Sequence, residues 1–168
     1  MRIVIQRVTE AKVAILDDEN NAGGRVDQQA GDKPTKKKRS IGKGFMILLG
    51  VCEEDTEEDV DWLVKKVAGL RVFDDENGVM NCSILETGGS CLVVSQFTLF
   101  ASYKKGNRPS WFKAARHEIS VPLYESFCRK LSEAIGREVA TGEFGANMQI
   151  SLTNDGPVTI CMDTKNKE

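Results

Sequence analysis

The chain has 168 residues, the size of one ordinary domain, and its 40% hydrophobic content suffices for a single core. No apolar run approaches the roughly 20 residues of a bilayer span, and five scattered cysteines without a CxxC pair argue against a disulfide framework or a zinc site. The formal net charge is −2, so an RNA partner would need a locally basic footprint.

The opening Met1-Arg2-Ile3-Val4-Ile5 reads as a strand and lacks a signal peptide's layout, so a soluble, cytoplasmic protein with no membrane contact is the expectation. Ile3 and Ile5 alternate with Gln6 and Val8 in one strand, and Ala11 to Leu16 reads as a second. Asp17 to Arg39 then holds almost nothing large and apolar. Such a segment cannot offset its ordering entropy, and it reads as a mobile polar loop. Its end, Lys36-Lys37-Lys38-Arg39, is either a solvated basic tip or an arm that touches RNA.

The run Gly44 to Val51 is continuously apolar, as in a buried strand. Asp55 with Glu58 has the spacing of a capping box. Val60, Leu63, Val64, Val67 and Leu70 then recur at helical spacing, which predicts a helix over Thr56 to Leu70. Cys91 to Val94 is another buried strand and runs into Ser95-Gln96-Phe97-Thr98-Leu99. A second helix is predicted from Ser120, with Pro122 in its first turn and a stripe of Leu123, Phe127 and Leu131. Met148, Ile150 and Leu152 mark a half-buried strand, and Asn154-Asp155-Gly156-Pro157 a tight turn before a last strand with Val158, Ile160 and Met162. The fold class is therefore α/β: one domain over residues 1–168, roughly seven short strands in a closed or half-closed barrel, and two long helices outside.

The chain is poor in standard catalytic motifs. It has no Walker loop, HExxH or GxSxG, and a single histidine, His117, that reads as a surface residue. A His117–Cys pair is open in principle, but neither partner sits in a signature. Two segments stand out. Ser95 to Leu99 puts small hydroxyl and amide groups at a strand end, a common place for a site. Gly156-Pro157 closes a tight turn; cis occurs in only about 5–6% of X–Pro bonds in folded proteins, so the residues alone favour trans. Lys104, Lys105 and Arg108 suit either phosphate contact or a solvated loop.

Taken in order, several segments resemble the D-aminoacyl-tRNA deacylase family, also known as D-tyrosyl-tRNA(Tyr) deacylases. They are Met1 to Val8, Asp61 to Lys66, Leu70 to Phe73, Val93 to Leu99, Lys105 to Ser110, Thr141 to Met148 and Asn154 to Thr159. The segment Asp17 to Arg39 departs from the family, which usually has a short turn there. The resemblance implies a homodimer in which a cis Gly156-Pro157 enters the partner's site and meets the substrate's amino group and α-carbon. It implies that Arg7 holds that motif and that Met148 lies near the site. Ser95, Gln96, Phe97 and Thr98 would form the catalytic pocket for the terminal adenosine and ester. Lys104, Lys105 and Arg108 would be tRNA contacts, and no cofactor or metal is expected. The activity implied is hydrolysis of D-aminoacyl-tRNA and mischarged glycyl-tRNA, assisted by the substrate 2′-OH. Two other readings stand beside it: a nucleic-acid-binding module without turnover, and a Thr98-dependent hydrolase of small D-amino acid esters.

Overall fold

The computed structural model describes residues 1–16 and 35–167. Residues 17–34 of the expected polar loop lie outside the described residues. The chain forms a single α/β domain with a nearly closed, barrel-like sheet. The elements are β1 (Arg2–Leu16), β2 (Thr35–Ile41), β3 (Gly44–Gly50), α1 (Glu57–Gly69), β4 (Phe73–Asp74), β5 (Met80–Cys82), the one-turn α2 (Ile84–Thr87), β6 (Ser90–Ser95), a 3-10 turn (Phe97–Phe100), α3 (His117–Ile135), β7 (Ala140–Thr141) and β8 (Met148–Asp163). In the barrel sheet β2 and β3 lie on one edge of β1 and β8 on the other, all antiparallel, while β3, β6 and β7 run parallel; β4 and β5 form a separate ribbon.

The strands differ from expectation in length. The two expected strands at the N-terminus are one strand of 15 residues, and β8 runs for 16 residues through the expected turn. Two irregularities against β8 explain both misreadings. Val8 pairs with Asn154 and Glu10 with Thr153, so Thr9 is an extra residue. An extra residue swaps the faces of a strand. Before it Ile3 and Ile5 join the core beneath the helices; after it Ala11 and Val13 fill the barrel interior with Met46, Leu92 and Val94. The sequence pattern breaks at the bulge although the strand does not.

The second irregularity lies between Gln6–Thr159 and Val8–Asn154, where Arg7 alone faces Asp155, Gly156, Pro157 and Val158. The four residues leave the ladder as a protrusion.

Residues Thr35 to Arg39, expected in the loop, belong to β2. Apolar content gave no sign of this because most of β2 faces solvent. Its basic residues are partly used by the fold. Lys36 pairs with Glu143 at 3.1 Å, and the Arg39 guanidinium binds Thr141 and the Gly142 carbonyl, tying β2 to the end of β7.

The run in β3 is buried on both faces, as its apolar continuity predicts: Phe45, Ile47 and Leu49 face the helices and Met46 the interior. Helix α1 packs Val60, Leu63 and Val67 into the same core as Leu123, Phe127 and Leu131 of α3. The cap of α1 is one residue later than expected: the Thr56 N–H donates to the Asp59 carboxylate at 2.9 Å. Asp55 is unavailable because its buried carboxylate takes the Met1 ammonium and the Cys52 N–H. Helix α3 starts three residues before Ser120, since the Ile119 and Ser120 N–H groups already donate to the Arg116 carbonyl; Pro122 thus lies inside it. No helix among the described residues is long and apolar enough to cross a membrane.

Candidate active site

Strands β3 and β6 are parallel and end together, with Leu49 opposite Ser95. The chain then leaves the sheet into the 3-10 turn. These strand ends, the start of α3 and the segment 144–150 enclose a cleft of about 610 Å³. Ser95, Gln96, Phe97 and Met148 line it, together with Tyr124 and Phe144. Met148 is seated by Gly142, where an added Cβ would stand 2.7 Å from its sulfur.

Most polar groups in the cleft are already committed. The Gln96 N–H donates to the Leu49 carbonyl at 2.8 Å, so it is not free to bind substrate. The Gln96 side-chain amide donates to the Thr98 hydroxyl. Thr98 itself is absent from the lining, and its neighbour is an N–H donor that can take no proton from it. The Tyr124 hydroxyl donates to the Val93 carbonyl at 2.9 Å, and burial pushes its phenol far up, so it is a fixed donor and not a base. The N–H groups of Phe97 and Thr98, which open the 3-10 turn, meet no acceptor among the described residues.

His117 is solvent-exposed, as read from the sequence, yet it also lines the cleft, edge-on to Phe144 with ring centroids 5.1 Å apart. No cysteine joins it there. Burial pushes the thiols of Cys91 and Cys128 up to about 12, which makes them core residues and not nucleophiles. Phe144, and a place for His117 in the cleft, escaped the sequence reading because the packing of α3, and no local motif, brings them to Ser95. The available signal was the Gly142-to-Asn147 run, which carried the resemblance but had no assigned role.

Arg7, Gly156 and Pro157 lie elsewhere in the same chain. Arg7 pairs with Phe45, four residues or about 13 Å before Leu49 along β3. Its guanidinium is buried and holds the protrusion from beneath: Nε binds the Asp155 carbonyl (3.0 Å) and carboxylate (3.2 Å), Nη1 the Val72 carbonyl (2.7 Å) and Asp74 (3.1 Å). Gly156 has a φ of 132°, and a Cβ there would meet Val158 at 2.7 Å, so only glycine fits. The Gly156–Pro157 peptide is cis, and both residues are exposed. Lys104, Lys105 and Arg108 are exposed on the loop closed by mutual Ser102–Ser110 backbone bonds of 2.8 and 2.9 Å. Among the described residues no group of three or more His, Cys, Asp or Glu could hold a metal ion.

The sequence model of the family described as D-Tyr-tRNA(Tyr) deacylase matches residues 4–163. Proteins named D-aminoacyl-tRNA deacylase from Bacteroides thetaiotaomicron and Parabacteroides distasonis are 60% and 51% identical over 168 residues, covering 100% of each chain. A solved structure titled c-Myc DNA Unwinding Element Binding Protein has 34% identity and a TM-score of 0.80, covering 98% of this chain and 99% of its own. That of a probable eukaryotic D-amino acid tRNA deacylase, at 17% identity, shares the fold with a TM-score of 0.73 over 96% of this chain and 97% of its own. The chain belongs to the D-Tyr-tRNA(Tyr) deacylase family.

Proposed function

We propose that the protein hydrolyses the ester bond of D-aminoacyl-tRNA in the cytoplasm, releasing the free D-amino acid and tRNA. One observation carries the chemistry: the cleft lining holds no activated nucleophile, whereas Phe97 in it and Thr98 just beyond it carry backbone N–H groups that meet no acceptor among the described residues. An aminoacyl ester is already activated. Its cleavage needs an aimed water and donors for the developing oxyanion more than a strong base. The Phe97 and Thr98 N–H groups serve the oxyanion, and the terminal ribose 2′-OH positions the water. Ser95, Gln96 and Met148 shape the pocket for the terminal adenosine.

Chirality is selected by a second copy of the chain. Gly156 and Pro157 are exposed, held from below by a buried arginine, and set at the opposite end of β3 from their own cleft. In a homodimer they enter the partner's cleft and contact the substrate's amino group and α-carbon. They block the space an L side chain would occupy, while any D side chain points away.

A deacylation assay with matched D-, L- and glycyl-tRNA tests this reading. D-aminoacyl-tRNA and glycyl-tRNA are cleaved and L-aminoacyl-tRNA is spared, because glycine has no side chain to exclude. Rejection of glycyl-tRNA would replace the wall with a positive contact to the D side chain. Binding without cleavage of any substrate would leave a nucleic-acid-binding module.

A further inference from the structure

Charge in this protein is segregated. Residues 97–116 contain Lys104, Lys105, Arg108, Lys113 and Arg116 and no Asp or Glu, so this segment carries +5 against a chain total of −2, and the other residues carry −7. Arg116 is paired with Glu53. Lys104, Lys105, Arg108 and Lys113 have no carboxylate partner among the described residues.

The same segment holds every exposed Phe, Tyr and Trp among the described residues: Phe97, Tyr103, Trp111 and Phe112. Tyr103 is 75% and Phe112 72% exposed, so neither ring is used by the fold. Scattered single apolar residues on a surface need no explanation, but four aromatics confined to one basic segment do. The segment forms an arm. It leaves the cleft at Phe97 and returns to it at Ala114, both of which line the cleft, and it is closed across its base by the Ser102–Ser110 bonds. Trp111 packs edge-on against Phe97 with centroids 5.3 Å apart and planes at 83°, joining the arm to the lip of the cleft.

We propose that this arm docks the unpaired 3′ nucleotides of the RNA substrate, with bases stacking on Tyr103 and Phe112 and phosphates meeting Lys104, Lys105 and Arg108. The proposal rests on the cleft being the ester-cleaving site of a charged tRNA. Aromatics interleaved with cations suit single-stranded nucleic acid, whose bases have open faces. A duplex offers the same phosphates but keeps its bases stacked internally. A second copy of the chain offers neither open base faces nor phosphates, and the light-scattering arm of the test below separates it from RNA.

The test uses uncharged RNA and needs no turnover. A labelled hairpin with a four-nucleotide 3′ overhang and the same hairpin made blunt are titrated by fluorescence anisotropy. The wild-type protein binds the overhang form more tightly. Tyr103→Ala with Phe112→Ala abolishes that preference, weakening overhang binding about tenfold or more, whereas tryptophan at both positions retains it. Lys104→Ala with Arg108→Ala lowers the salt slope of log Kd by about 1.4, two phosphate contacts at about 0.7 each. Equal affinity for both hairpins, or an unchanged Kd in the aromatic variant, overturns the proposal. So does a fall from dimer to monomer in the aromatic variant by light scattering, which would assign the rings to self-association. Deacylation by a protein that ignores the overhang would refute the docking arm and leave the enzyme. Overhang binding without any deacylation would do the reverse.

Discussion

Replacing Arg7 by methionine keeps the apolar stem and removes the charged group beneath the Gly156-Pro157 protrusion. The Arg7 side chain is 7% exposed, whereas Asp74 and Asp155 are 51% and 37% exposed. The two carboxylates regain water in the variant, so each accounts for no more than about 1 kcal/mol. The Val72 and Asp155 carbonyls lose donors at 2.7 and 3.0 Å. Hydrogen bonds to a charged group contribute roughly 1.5–3 kcal/mol each, and methionine packing recovers part of the loss. The net destabilisation is about 3 kcal/mol, which in a protein of this size lowers the Tm by roughly 6–12 °C. Calorimetry at fixed protein concentration measures it. Single-turnover assays at a temperature where the variant stays folded follow the function: cleavage of D-aminoacyl-tRNA falls at least about tenfold and discrimination against the L form weakens. Arg7→Lys is intermediate, since one ammonium cannot span four acceptors. A Tm within about 2 °C of wild type, or full rate and selectivity in a folded variant, would refute the role assigned to Arg7.

Thr98→Ala costs no more than about tenfold in single-turnover rate, the value of one lost hydrogen bond with Gln96. Removing the terminal 2′-OH from the tRNA costs more, on the order of 10²-fold. The opposite ranking would make Thr98 the nucleophile. Acid stability follows the carboxylates. Burial works against the ionised Asp59 and Asp163, but Lys165 and Thr164 on the first and Arg2 on the second hold both below the usual carboxylate range. A depressed folded pKa gives stability that is complete above the unfolded value, about 4, and is lost as pH falls through the folded one. Urea midpoints are therefore level from pH 7 to about 5 and drop below about 4. Asp59→Asn flattens that drop, and an unchanged acid limb would exclude Asp59 as its source.

Where local pattern decides structure, the sequence was readable. The continuous run Gly44 to Val51 and the stripes Val60-Leu63-Val67 and Leu123-Phe127-Leu131 all pack as their periodicity implies. The Ser95-to-Phe97 strand end lines the cleft for the reason that made it conspicuous, since small polar residues follow a buried strand. Long-range competition was not readable. Nothing local shows that Asp55 is taken by the Met1 ammonium, that Thr9 is an extra residue against β8, or that the Gln96 N–H is spent on Leu49. Thr35 to Arg39 pairs in the sheet through backbone atoms and so leaves no apolar trace.

Each chain carries its Gly156-Pro157 protrusion and its cleft at opposite ends of β3, and this has a genetic consequence under the proposed pairing of chains. A copy with a damaged protrusion and a copy with a blocked cleft are each inert as homodimers. Mixed one to one, half of the dimers are hybrids, and each hybrid has one intact cleft facing one intact protrusion. About a quarter of the sites work again, so two null alleles in one cell complement each other.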